Sequence, residues 1–311
     1  KGRICLVLDG GSVLFDPEAT AEIWRDLLNR YPLMAQEEAE RYKRYSPLIV
    51  SDISPFGALV AEKLGTRAAC LANFSWNWIL GPSIQGHEPL AAIAAELAEI
   101  YRRFGLLLRT PFHGDLSVFP CVRDVSLVVR HPSLSREEAR RHFDLPSGQP
   151  VVLYSFGGHS QAGLTDEVLE KYSDILFINL EDDRRLPNLR TMPRETYHPD
   201  LVAASDVVFC KLGYGIVGEV LASQAAVFYL ERQNFPEFEM FEEQLPTYIR
   251  MKRVSRGDFE LGKWDSLYEL LEARHGEPSL APYTDLDVGR QVAEILEDLA
   301  KRGEEAWQNH S

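Results

Sequence analysis

A chain of 311 residues with 45% hydrophobic and 26% charged residues has the composition of a folded protein with core enough for about two domains. Its formal net charge of −14 argues against sequence-independent nucleic-acid binding, which needs clustered Lys and Arg. No apolar run approaches the ~20 residues of a membrane span, no signal-peptide pattern opens the sequence, and a cytoplasmic protein is expected.

The first run, "RICLVLD", reads as a buried strand over 4–8. No strand or crossover precedes it, so the expectation is a first domain that lacks its opening segment. An apolar edge left open in this way invites either pairing with another chain, as in a homo-oligomer, or poor solubility. Amphipathic stretches at 18–30 and 33–45 read as two helices, followed by a strand at 48–52, a helix at 55–64 with Pro55 near its start, and a strand at 68–72. Asp52 ends a strand before a helix, which suits either a cap or a catalytic base. "NFSWNWIL" puts Asn73 at a strand exit, with Trp76 and Trp78 behind it as core residues or as a platform for a sugar. A helix at 89–104 and a strand at 125–129 complete this group.

The stretch "RHPSLSREEARRHFDLPSGQP" (130–150) holds a helix with a capping-box start, Ser135 and Glu138, and ends in turn-forming residues. It is read as the linker, dividing the chain into domains 1–133 and 134–311. Strands are expected beyond it at 151–155, 175–179, 206–210 and 226–230, helices at 163–171 and 214–223, and a last helix at 287–303 within the second domain. Strands alternating with helices, apolar on both faces, imply two Rossmann-like α/β domains with parallel sheets and a cleft between them. Cys5, Cys70, Cys121 and Cys210 show no C-x-x-C spacing, and reduced structural thiols are expected, with a disulfide or metal site as the alternative.

Ligands of open α/β sheets bind beyond the carboxyl ends of the strands. "FGGHSQAG" (156–163) follows one strand, and its Gly157 and Gly158 permit close approach of backbone amides, with His159 beside them. "KLGYG" (211–215) follows another: Lys211 offers positive charge, Gly213 and Gly215 flank Tyr214, and Glu219 lies one turn into the next helix. A carboxylate there suits vicinal hydroxyls, and it is expected to be solvated when no ligand is bound. A plain glycine turn with a solvated Lys and Glu is the alternative. "ERQNFPEFEMFEEQL" (231–245) brings Arg232, Gln233, Asn234 and Glu237 to a third strand exit.

The segments "SDISPFGALVAEKLGTRAACLANFSWNWI", "MPRETYHPDLVAASDVVFCKLGYGIVGEVLA" and "ERQNFPEFEMFEEQL" resemble the glycosyltransferase-like family that includes the amino-terminal domain of L-arabinokinases and stand-alone bacterial relatives. The resemblance runs from about Lys1 to Leu245. It implies the GT-B fold of nucleotide-sugar glycosyltransferases. It also implies that Gly157, Gly158 and the "KLGYG" turn face a diphosphate, that Glu219 binds ribose, and that Met192 and Pro193 hold the base through their backbone. Asn234 and Glu237 would meet the donor sugar, with Asn73, Trp76 and Arg232 alongside. The sequence departs from the family pattern at Cys210, where a glycine is usual, and at Gly218, where a serine is usual; the Gly/His-rich loop of the first strand has no match. The function implied is transfer of a glycosyl group from a nucleoside-diphosphate sugar, a UDP-sugar favoured, to an acceptor hydroxyl, with Asp52 as base and no cofactor or metal. The alternative is a non-catalytic nucleotide-sugar-binding or regulatory module. An NAD-dependent dehydrogenase is disfavoured, since no G-x-G-x-x-G follows a strand.

Overall fold

The computed structural model describes residues 16–81, 86–156, 163–180, 184, 186–232, 235–272, 288–302 and 307. The strand expected at 4–8 lies outside these residues, as do Cys5, Gly157, Gly158, His159, Gln233 and Asn234. The described residues fall into two compact units, one drawn from Lys1–Val128, Gln233–Met240 and Asp285–Ser311, the other from Val129–Arg232 and Phe241–Thr284.

The first unit opens with helix α1 (Pro17–Tyr42), capped by Asp16, whose carboxylate accepts from the Ala19 N–H at 3.0 Å. Two helices broken near Pro32 were expected; one helix of 26 residues runs through it. Trp24, Leu27, Leu28, Tyr31, Ala35 and Ala39 form one buried stripe whose spacing continues across the proline, so burial outweighs the ~3 kcal/mol that an interior proline costs. There follow β1 (Ile49–Asp52), α2 (Phe56–Leu64), β2 (Ala68–Ala72), α3 (Trp76–Leu80), α4 (Glu88–Tyr101), β3 (Leu106–Arg109) and β4 (Val122–Asp124). The four strands pair in parallel in the order β1-β2-β3-β4. The strand expected at 125–129 is displaced: the ladder runs over 122–124, Val125 N–H still reaches the Arg109 carbonyl, and Ser126 N–H turns instead to the side chain of Gln291. β3 ends at Arg109, so the apolar run beyond Val125 has no strand to pair with.

Both faces of the two central strands, β2 and β3, are buried. Ala68, Cys70, Ala72 and Leu107 pack under α1, α2 and α4, while the alternating set Ala69, Leu106 and Leu108 packs with Ile295, Leu299 and Trp307.

In the second unit the strands and helices are α5 (Arg136–His142), β5 (Val151–Ser155), α6 (Asp166–Lys171), β6 (Leu176–Asn179), β7 (Leu189–Thr191), α7 (His198–Ala204), β8 (Val207–Cys210), α8 (Tyr214–Ser223) and β9 (Ala226–Leu230). After α9 (Pro236–Gln244) come β10 (Met251–Val254), α10 (Arg256–Glu260) and α11 (Ser266–Glu272); the last helix of the chain, α12 (Val288–Arg302), belongs to the first unit. The placement of that helix in the second domain is therefore corrected: the outer face of the first sheet needs an apolar cover, and Ile295 and Leu299 supply it. The division also falls earlier than 133. Val129 packs against Gly218, and Ser133 and Leu134 donate to the buried Asp200 carboxylate, which ties the chain from 129 onward to the second unit. The capping box at Ser135 and Glu138 forms as expected.

The six strands of the second unit are all parallel, in the order β10-β9-β8-β5-β6-β7. Renumbered within the unit this is 3-2-1-4-5-6, the doubly wound Rossmann order. An aromatic core built on Trp264, Tyr172, Phe177, Phe209 and Phe228 holds it together. Among the described residues no helix is long and apolar enough to cross a membrane.

Candidate functional site

In a doubly wound sheet the chain leaves the two central strands in opposite directions, and the crevice at their carboxyl ends is where ligands bind. Here those strands are β5 and β8, with Ser155 and Cys210 as register partners at their ends. The "KLGYG" turn therefore sits at the switch point of the sheet.

Cys210 belongs to the core. It is fully buried, and burial pushes its thiol up to about 12. Lys211, one residue on, is half-buried and makes no ion pair among the described residues. Burial lowers its pKa, and the nearby positive charge of Arg232, just past β9, lowers it further. Two cations thus face one another at neighbouring strand exits.

Gly213 precedes α8 in an extended conformation, φ −167°, and no side chain caps the helix start. Gly213 has no side chain with which to cap α8, and a helix amino-terminus is a place that receives anions. A Cβ at Gly213 or Gly215 would meet no described residue within 4 Å, so packing among the described residues does not account for either glycine. Gly218 differs: its Cβ would come within 2.9 Å of Val129 Cγ2, which gives the departure from serine a packing reason.

Glu219 is not solvated. It is 2% exposed, and both its oxygens are engaged: Oε1 accepts from Arg130 Nη2, and Oε2 is bonded to His198 Nδ1. The other ring nitrogen of His198 lies 3.0 Å from Ser155 Oγ. A hydrogen-bonded chain therefore runs from the end of β5, through the first residue of α7, into α8. Sequence reasoning did not find Ser155, His198 or Arg130 as partners of this carboxylate. Their separations along the chain are 43, 21 and 89 residues, and no local spacing announces them. Met192, just past β7, is buried, and its N–H donates to the Asn179 carbonyl at 2.7 Å.

The first unit brings other expected residues together. Asn73 Nδ2 donates to Glu237 Oε1 at 3.3 Å, and both side chains are buried. Trp76 packs against Trp24 at 5.5 Å and Phe74 at 5.3 Å and remains half-buried. Asp52 is exposed at the end of β1. The next residue, Ile53, has φ 59°, a left-handed conformation that strains a β-branched residue by about 1–3 kcal/mol. Two bonds hold it there: its N–H donates to the Leu71 carbonyl, and the buried Tyr101 hydroxyl donates to its carbonyl at 2.6 Å. Among the described residues no cluster of three His, Cys, Asp or Glu side chains is arranged to hold a metal ion.

No protein-family model matches the sequence. L-arabinokinase of Arabidopsis thaliana is 30% identical over 258 residues, covering 81% of this chain; the chain spans about a quarter of that relative's length, 24%. Among solved structures, the calicheamicin glycosyltransferase CalG4 superposes with a TM-score of 0.62 at 14% identity, covering 95% of this chain and 84% of its own. UGT89C1 of Arabidopsis thaliana, solved with UDP-L-rhamnose, gives 0.57 at 14% identity, covering 97% and 81%. The chain has the GT-B fold of these glycosyltransferases, two Rossmann-like domains with parallel sheets, and over four fifths of its length it is similar to part of L-arabinokinase.

Proposed function

We propose that the protein is a glycosyltransferase that binds a nucleoside-diphosphate sugar, a UDP-sugar favoured, and moves the glycosyl group to an acceptor hydroxyl. One observation carries this reading: a half-buried lysine that makes no ion pair among the described residues stands at the switch point of a doubly wound sheet, near Arg232 and just before the amino-terminus of α8. Such a place favours an anion, and glycosyl transfer needs stabilisation of the departing diphosphate. Lys211 and the first turn of α8, with Gly213, Tyr214 and Gly215, take the diphosphate. Gly157 and Gly158 are assigned to the same group, Glu219 to the ribose, and Met192 to the base. Asn73, Trp76, Arg232, Asn234 and Glu237 are assigned to the donor sugar. Asp52, exposed beside the strained Ile53, is the base that takes the acceptor's proton. The similarity to L-arabinokinase and the named UDP-sugar complex of a structural neighbour support this choice of ligand.

Calorimetry and thermal unfolding with UDP, GDP and dTDP test it. A ligand at ten times its dissociation constant stabilises by about 1.4 kcal/mol, a readable shift. Failure of all three at millimolar concentration, in a folded sample, refutes the proposal. Binding without release of sugar from a labelled donor, whatever the acceptor, favours the non-catalytic module instead.

A further inference from the structure

The two oxygens of Glu219 are held by partners of different kinds. His198, on Oε2, has a side chain 18% exposed and a second anchor in Ser155. Arg130, on Oε1, is 63% exposed and makes no second hydrogen bond among the described residues. A carboxylate only accepts, so His198 Nδ1 carries the hydrogen toward Oε2, and Nε2 is joined to the Ser155 hydroxyl. Oε2 is thus fixed by a chain spanning β5, α7 and α8, whereas Oε1 is covered by one long, solvated side chain.

We propose that Oε1 is the ribose-facing oxygen, that a ribose diol displaces Arg130 from it, and that His198 is the positioning residue that keeps Oε2 fixed during the exchange. This rests on the nucleotide-sugar reading above. A guanidinium fork and a vicinal diol both present paired donors, so either satisfies the same oxygen. A carboxylate this buried does not stay without donors, so one set replaces the other. Release costs little on the arginine's side, because its exposed guanidinium regains hydration, and on the carboxylate's side the incoming diol replaces the lost donor. Arg130 and His198 together then set the preference for a ribonucleotide over one without the 2′- and 3′-hydroxyls.

The experiment measures dissociation constants of UDP and 2′,3′-dideoxy-UDP by calorimetry for the parent protein, Arg130→Ala, His198→Ala and Ser155→Ala, with the fold of each checked by thermal unfolding. The ratio of the two constants isolates the ribose contribution from any long-range effect of charge on the diphosphate. Arg130→Ala should raise the preference for UDP by roughly two- to fivefold, the scale of removing a competing donor whose own side chain is solvated. His198→Ala should bring the preference toward one. Ser155→Ala cuts the same chain with the loss of a single hydroxyl, and it should lower the preference even if the histidine variant does not fold. A preference unchanged or reduced in Arg130→Ala overturns the displacement, as does weakening of both nucleotides by one common factor. A preference retained in a folded His198→Ala, or in Ser155→Ala, overturns the positioning role. A parent protein that binds UDP and its dideoxy analogue equally overturns the ribose assignment alone; one that binds no nucleoside diphosphate overturns the glycosyltransferase reading with it.

Discussion

Replacing Lys211 with methionine should make the protein more stable and a poorer binder of nucleotide. Folding places this ammonium in a half-buried position opposite Arg232, with no ion pair among the described residues to offset its lost hydration. Its pKa accordingly lies below the ordinary 10.5, from burial first and from Arg232 second. The folded state therefore binds this proton more weakly than the unfolded chain does. Stability rises with pH between the lowered value and 10.5, and at neutral pH the charge is a cost. Methionine keeps the length and removes the charge, so Lys211→Met should gain a few tenths to about 1 kcal/mol, the scale typical of relieving a destabilised functional group. For a protein of this size that is roughly 0.5–2 °C in Tm. If the ammonium donates a charge-assisted hydrogen bond to the diphosphate, its loss costs about 1.5–3 kcal/mol of binding, or roughly 10- to 150-fold. Thermal unfolding of the free protein and calorimetry with UDP read the two effects separately, and they should have opposite signs. A Lys211→Met protein that binds UDP as tightly as the parent refutes the diphosphate role. One that is less stable than the parent refutes the claim that the charge is uncompensated.

Asp206 accepts from Arg136, from Arg140 Nη2 at 2.6 Å and from the Val151 N–H at 2.7 Å, so Asp206→Asn should lower stability by about 2–4 kcal/mol in urea unfolding, and a loss below 1 kcal/mol would show the cluster to be loosely coupled. Gly218→Ala should cost about 1–3 kcal/mol, because its Cβ would lie 2.9 Å from Val129 Cγ2; Val129→Ala in the same chain should return part of that, and strict additivity of the two would contradict the packing argument. Burial pushes the thiols of Cys70 and Cys210 up to about 12 from an ordinary 9.0, so both should resist a thiol reagent at pH 8 until the protein is unfolded, and fast labelling of either would contradict the burial. Because the folded state keeps these protons longer than the unfolded chain, their contribution to stability is intact below about 9 and is lost as pH rises toward about 12.

The parts of the fold that could be read from sequence were those with local causes. β5, β8 and β9 are short apolar runs bounded by turns, and all three form where expected. β3, β4, β7 and β10 escaped reading; β3 is a buried apolar "LLLR" as strong as the runs that were read, while β4 and β10 are marginal in the same terms. β4 is "VRD" with all three residues exposed, and β10 is "MKRV" at a sheet edge with β9 as its one neighbour. Each is a strand because an adjacent strand offers it a ladder, not because its own residues demand one. Pro32 misled in the opposite sense: a strong local signal lost to a buried stripe that continues past it. The switch-point turn was legible because lysine, glycines and strand end are consecutive. The Ser155–His198–Glu219–Arg130 chain was not, because only the order of strands in the sheet brings those positions together.

That difference changes what Glu219 can be asked to reveal. A solvated carboxylate could be removed without harm to the fold, and any loss of binding on Glu219→Ala would then measure its contact with ribose. At 2% exposure the same substitution leaves the His198 Nδ1–H without its acceptor, frees Arg130, and breaks a link between α7 and α8. A buried donor stripped of its acceptor costs about 1–3 kcal/mol, the same size as the binding energy sought. Weakened binding in that variant would therefore mix a loosened fold with a lost contact. The preference between ribose and dideoxyribose is free of this confusion, since both ligands meet the same protein. Under the proposed assignment the carboxylate is a structural and a ligand-facing group at once. Its two oxygens divide those duties: the one on His198 secures the helix, and the one under Arg130 is open to exchange.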